Sequence, residues 1–262
     1  MANEGASHSM TRALVTGGAQ GIGFAVARQL VQEGCRSITL VGRSEAKGQR
    51  AVAALGKTGA RVHFVGADLA SVDDCRRAAT AAFEALGGVD VLINAAGSSA
   101  RGSLTDTSPE LFDHLFATNV RGPFFLMQEV VRHLLDAGRP GAIVNVLSMS
   151  AHCGQDFLAA YSASKGALAT LTKNAALAYR ANRIRCNAVL PGWMDTEGES
   201  EVQRKFHDAP DDWLAKAEAA QPFGQLVKPD QLAELICWMA GPRSGVMTGA
   251  LVDYDQNVAG AI

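Results

Sequence analysis

Seven short runs of β-forming residues, at 13–16, 37–41, 61–65, 89–94, 142–147, 184–190 and 250–252, alternate along the chain with longer stretches of helical periodicity. In the first of those stretches Ile22, Val26 and Leu30 recur at i, i+4 and i+8 on one face, and another such stretch spans 163–179. Strand and helix repeated in this way predict a parallel sheet, because neighbours that point the same way need a long crossover between them. Runs such as Val91-Leu92-Ile93 are apolar without alternation, as strands covered on both faces should be. The predicted fold class is α/β, a doubly wound parallel seven-stranded sheet with helices on both faces.

No Pro- or Ser-rich linker or internal repeat divides the 262 residues, 48% of which are hydrophobic, so a single domain over 11–262 is expected behind a polar leader at 1–10. One excursion breaks the alternation. Segment 192–222 is rich in acids and carries the tryptophans Trp193 and Trp213, and reads as a lid or an inserted pair of helices. Lys and Arg number 24 against 26 Asp and Glu, with no run of five like charges, which argues against nucleic acid or an anionic membrane as partner. No apolar stretch reaches the ~20 residues of a membrane span. The five cysteines are odd in number and never spaced C-x-x-C, and the histidines lack ligand spacing. Reduced thiols, no metal and a cytoplasmic location are expected.

Thr16-Gly17-Gly18-Ala19-Gln20-Gly21-Ile22-Gly23 closes the first strand and opens the first helix. Glycines here permit a tight turn and a close backbone approach to a pyrophosphate, to which a helix N-terminus adds partial positive charge. The spacing T-G-x-x-x-G-x-G resembles that of the short-chain dehydrogenase/reductase family. Asn94-Ala95-Ala96-Gly97 is similar to its N-N-A-G segment, with Ala95 in place of the second Asn. Asp68 matches the family's adenine-contacting residue, beside Leu69, and Pro191-Gly192 with Thr196 matches the segment next to the nicotinamide. The resemblance covers nearly the whole chain and implies a Rossmann fold, a nicotinamide dinucleotide and a homotetramer or homodimer. At the end of the second strand an acid would favour NAD(H); Gly42, Arg43 and Ser44 stand there instead, leaving room and a guanidinium for a 2′-phosphate. NADP(H) is favoured over NAD(H), with Gln20 as the neutral residue of the glycine loop.

The chemical motif is Tyr161-Ser162-Ala163-Ser164-Lys165, with Ser148 thirteen residues earlier. Tyr161 and Lys165 stand at i and i+4, on one helix face. A phenol titrates near 10, so acid–base work near neutrality needs a shift of ~3 units, about 4 kcal/mol, which an ammonium nearby favours. The resemblance implies that Tyr161 is the general acid/base and that Ser148 hydrogen-bonds the reacting oxygen. Lys165 would lower the Tyr161 pKa and hold the nicotinamide ribose, and Asn119 would position a water in a relay to Lys165. Ser150 is a near neighbour of the serine chosen on spacing.

Substrate-lining candidates are Ser98, Arg101, Ser150, His152, Gln155, Trp193 and Met194, whose polarity leans towards a sugar or polyol. Arg101 is a candidate to hold a substrate anion. Where relatives read D-G-G, the tail reads Asp253-Tyr254-Asp255, so its backbone should turn differently and pack at a subunit contact or near the substrate. A 3-oxoacyl-type ketone reductase, a nucleotide-sugar epimerase and a non-catalytic NADP(H)-sensing regulator are the alternative readings.

Overall fold

The structure is a computed structural model and describes residues 7–260. β1 (Arg12–Thr16), β2 (Ser37–Gly42), β3 (Arg61–Gly66), β4 (Val91–Asn94), β5 (Gly141–Val146), β6 (Ile184–Pro191) and β7 (Leu251–Tyr254) form one sheet in the order β3-β2-β1-β4-β5-β6-β7. Every neighbouring pair is parallel. All seven expected runs are strands, each within two residues of its expected ends. β7 runs two residues past 252 because Asp253 and Tyr254 stay in register with Leu190 and Pro191; a tail without the glycines keeps pairing instead of turning.

The crossovers are α1 (Gly21–Gln32), α2 (Glu45–Gly56), α3 (Val72–Leu86), α4 (Pro109–Phe116), α5 (Gly122–Asp136) and α6 (Ala159–Tyr179), then α7 (Glu197–His207), α8 (Trp213–Ala219) and α9 (Pro229–Ala240). Side chains alternate between the sheet faces, and both faces are apolar. Ala13, Val15, Val91 and Ile93 join one core with Val26, Leu30 and Ile236; Leu14, Leu92 and Ile143 join the other with Leu126, Val130 and Leu168. Those near-continuous apolar strands are thus the consequence of helices on either side.

Segment 192–222 resolves into the helix pair α7 and α8, and an isolated parallel bridge between Met194 and Val227 ties its two ends together. Of the expected leader, 1–6 lies outside the described residues, whereas His8 is fully buried against α9 and the end of α1. Among the described residues no helix is long and apolar enough to cross a membrane, and no His, Cys, Asp and Glu side chains gather as a metal site. Strand order reverses between β1 and β4, which opens a crevice at their C-terminal ends.

Candidate active site

The crevice is built by Thr16. Its buried hydroxyl accepts the backbone N–H groups of Ala95 and Ala96, both at 3.1 Å, and so ties the end of β4 to the glycine loop. Gly17 adopts φ +67°, and a Cβ there would lie 3.0 Å from the Ala96 nitrogen. At Gly23 a Cβ would lie 2.5 Å from the Gly17 carbonyl, so the turn closes only without side chains. Gly21 differs: it has φ +53°, and beyond its Cβ position the nearest atom is the Thr196 methyl at 3.9 Å.

The start of α1 is also electrostatically open. Gln20, in the cap position, makes no side-chain bond to it, and its first turn holds no acid. By contrast α2 and α3 are capped by Ser44 and Ser71 and carry acids in their first turns. An uncapped N-terminus above an open glycine leaves N–H donors and partial positive charge for an anion. Ile22 packs into the core beneath it. These residues fit the pyrophosphate of a dinucleotide.

At the adenosine end Gly42 closes β2, with a Cβ position 3.5 Å from the Phe64 ring, and Arg43 is exposed beside it. Ser44 spends its hydroxyl oxygen on the Lys47 N–H as helix cap. Lys47, which sequence reasoning missed, swings its ammonium onto the side-chain oxygen of Gln20. A cation therefore stands at the glycine loop, although the loop sequence has none; the adjacency of β1 and β2 is what brings it there. Asp68 is exposed, with Oδ1 accepting from the Ala70 N–H at 3.0 Å.

Two cofactor candidates are turned away from the crevice. Leu69 buries its side chain in the core, leaving only its backbone near the site. Asn94 donates to the Asn145 Oδ1 at 2.8 Å between β4 and β5, where the two are register partners, so its amide nitrogen is used within the sheet. Gly97 matters by its missing side chain: a Cβ there would sit 3.3 Å from Asn119 Oδ1 and 3.4 Å from Lys165 Nζ.

Asn119 lies in a π-helical turn, Ala117–Arg121, between α4 and α5. Its side chain, 1% exposed, accepts from the Ser98 N–H at 2.8 Å and donates to the Ser98 carbonyl and to Ser164 Oγ. Such an insertion re-aims one residue of an otherwise regular helix. Here it turns an amide to span the loop after β4 and the second turn of α6.

On α6, Lys165 is buried, donates to the Val146 carbonyl at 3.0 Å and stands 5.7 Å from the centroid of the Tyr161 ring. Burial pushes its pKa down to about 8. Burial likewise pushes the Tyr161 phenol up, opposed by its hydrogen bond to Ser148 and by the charge of Arg101, and reinforced by Glu199. In the protein alone desolvation wins, and the charges acting on the phenol come from the lid side. Ser148 Oγ accepts from the Ser150 N–H at 3.2 Å and from its hydroxyl at 3.0 Å, so Ser150 supports the serine beside it.

Arg101 lies against the lid. Only 13% of its side chain is exposed; it donates to the Ser99 carbonyl, faces Glu199 at 3.7 Å and lies over the Phe157 ring. Glu199 further accepts from Trp193 Nε1 at 2.9 Å and from Gln203. The guanidinium thus engages the lid. Met194 is buried in the core, Gln155 is exposed before α6, and Thr196 caps α7. Pro191 and Gly192 end β6, where a Cβ on Gly192 would overlap the Asp255 carboxylate. The tail thus packs on the site edge, and Tyr254 against the core.

A parallel sheet of this order, a glycine cradle at its switch point and a Tyr–Lys pair on α6 define a dehydrogenase that handles a nicotinamide dinucleotide. The chain belongs to the short chain dehydrogenase family, whose model matches residues 11–206, and it is an oxidoreductase of CH–OH groups. It is 37% identical over 253 residues to the L-rhamnose 1-dehydrogenase (NAD(P)(+)) of Azotobacter vinelandii (strain DJ), covering 92% of this chain and 94% of that one. Its structure resembles that of a single-site variant of actinorhodin polyketide ketoreductase with NADPH, with TM-score 0.90, 29% identity and both chains fully covered. It also resembles an NAD+-bound xylitol dehydrogenase, with TM-score 0.85 and 27% identity over 93% of this chain and 96% of that one.

Proposed function

We propose that this protein interconverts a secondary alcohol and a ketone on a small sugar or polyol, with NADP(H) preferred over NAD(H). The observation that carries the reading is a connected set: Asn119 and Lys165 meet at Gly97, Lys165 stands 5.7 Å from the centroid of the Tyr161 ring, and Tyr161 hydrogen-bonds Ser148. Gly17, Gly21 and Gly23 with the α1 amides would hold the pyrophosphate, Asp68 the adenine, and Lys165 the nicotinamide ribose. When bound, the nicotinamide accepts or supplies the hydride at the carbinol carbon.

In the oxidative direction Tyr161 takes the proton of the substrate hydroxyl, and in reduction it returns one to the carbonyl oxygen. Ser148 donates to that same oxygen, because its own oxygen is already occupied by Ser150. The raised phenol favours the proton-donating form in the protein alone. The positive charge of an oxidised nicotinamide favours phenolate, so cofactor binding couples Tyr161 to oxidation. Asn119 holds the Ser98 loop against α6 and keeps Gly97 in line.

A neutral, hydroxylated substrate is supported by the commitment of Arg101 to Glu199 and by the polar groups of Ser150, His152, Gln155 and Trp193. The rhamnose and xylitol enzymes among its relatives point the same way. Gly42, Arg43 and Lys47 support NADP(H). We also propose one domain covered by α7 and α8, a homotetramer or homodimer, and a cytoplasmic location, in keeping with five cysteines that form no disulfide. The test is a turnover screen with NADPH, NADH and their oxidised forms against sugars, polyols, keto acids and acyl ketones. Activity confined to sugars or polyols is expected; activity confined to acyl ketones overturns the substrate class.

A further inference from the structure

His152 and Asp253 are 101 residues apart in the chain, yet His152 Nε2 and Asp253 Oδ1 meet at 2.9 Å. The mechanism uses neither. His152 closes the short turn Met149–Ala151, whose first N–H groups are capped by Ser148, and its own N–H donates to the Met149 carbonyl. Asp253 stands on β7 opposite Leu190, one residue before Pro191-Gly192. The pair therefore joins the turn that carries the reacting serine to the strand end beside the proposed nicotinamide site. The tail is held in place there: the Gly192 N–H donates to the Tyr254 carbonyl at 3.0 Å, and the Asp255 carboxylate lies over Gly192.

Both side chains keep a reachable face, with 36% of His152 and 48% of Asp253 exposed. Among the described residues His152 Nδ1 and Asp253 Oδ2 make no hydrogen bond. When a neutral imidazole donates its Nε2–H to the carboxylate, Nδ1 becomes an acceptor. The pair then offers two acceptors, Nδ1 and Oδ2, and its one donor is spent internally. Such a group is satisfied by two hydroxyl protons. The hydroxyls of a polyol or sugar provide them; a ketone chain or acyl tail does not.

Resting on the sugar or polyol reading above, we propose that His152 is a specificity-determining residue that accepts a hydroxyl of the substrate next to the reacting carbinol, with Asp253 as its partner acceptor and the residue that positions its ring. Arg101 and Glu199, whose charges both act on the Tyr161 phenol, are already matched to each other. Hydroxyl selection therefore falls to the tail side.

The experiment compares kcat/KM for pentitols, aldohexoses and 6-deoxyhexoses with kcat/KM for 2-pentanol and 2-hexanol, in wild type, His152→Ala, His152→Gln and Asp253→Asn. In His152→Ala the ratio of the best hydroxylated substrate to the simple alcohol is expected to fall at least ~10-fold, the value of one or two lost hydrogen bonds. His152→Gln keeps an amide acceptor and should recover part of the loss. Asp253→Asn should give an intermediate ratio. A merely structural pair lowers both substrates alike, so an unmoved ratio in His152→Ala, with a polyol still turned over by the wild type, overturns this assignment alone. A wild type that turns over none of the hydroxylated compounds overturns the substrate reading and this assignment together.

Discussion

Cofactor preference is decided at the end of β2, and Gly42→Asp tests it. A Cβ at residue 42 would meet the Phe64 ring at 3.5 Å and Ala19 Cβ at 3.8 Å, ordinary contacts, and its backbone is not left-handed, so aspartate fits without strain. Two unit charges about 5 Å apart at an effective dielectric of ~20 repel by about 3 kcal/mol, on the order of 100-fold in affinity. Salt weakens this at an exposed strand end, and a shift of at least ~10-fold away from NADP(H) should survive at physiological ionic strength. The new carboxylate would also accept ribose hydroxyls, improving NAD(H). The assay is kcat/KM for each of the two cofactors with one substrate, in wild type and variant. A wild type that prefers NADH, or a variant whose cofactor ratio does not move, refutes the reasoning.

Two further perturbations probe the scaffold of the site. Asn119→Ala strips partners from the Ser98 backbone and the Ser164 hydroxyl. Unmet buried groups cost about 1–3 kcal/mol each, so urea unfolding should show a loss of roughly 3 kcal/mol together with reduced turnover. His8 is buried with Nε2 on the Cys237 carbonyl and Nδ1 at Thr11 Oγ1, the arrangement of a neutral ring, and burial pushes its pKa below the ordinary 6.5. The unfolded chain therefore binds the proton more readily. His8 contributes stability above pH 6.5 that is lost as pH falls from there towards its lowered pKa, by up to about 1.4 kcal/mol per pH unit. Unfolding free energies of wild type and His8→Leu between pH 5 and 8 should show that slope only in the wild type.

The strands were legible because burial on both faces leaves apolar runs at 37–41 or 142–147 that no other arrangement explains. Tyr161, Lys165 and Ser148 were legible because their spacing is local, i and i+4 with the serine thirteen residues before, whereas Asn119 rested on the family resemblance. What escaped depends on contacts across the chain. Lys47 reaches Gln20 only because β1 and β2 are neighbours. Arg101 finds Glu199 only when α7 folds back over the crevice. Asn94 reads as a cofactor residue by position, but register with Asn145 gives its amide a nearer partner. The π turn at Asn119 has no signature in composition, since it inserts one residue into a continuous helical pattern. The direction of the Tyr161 shift required the burial of its phenol, which no i, i+4 spacing reveals.

The central claim is that Tyr161 carries the proton at the reacting oxygen. Tyr161→Phe removes the phenol oxygen and leaves the ring, the glycine cradle and Lys165 in place. General acid–base catalysis contributes about 10²–10⁴-fold, so turnover followed by NADPH absorbance should fall by at least ~100-fold while NADPH binding, read by its fluorescence, remains measurable. A variant that binds NADPH and turns over at the wild-type rate contradicts the account.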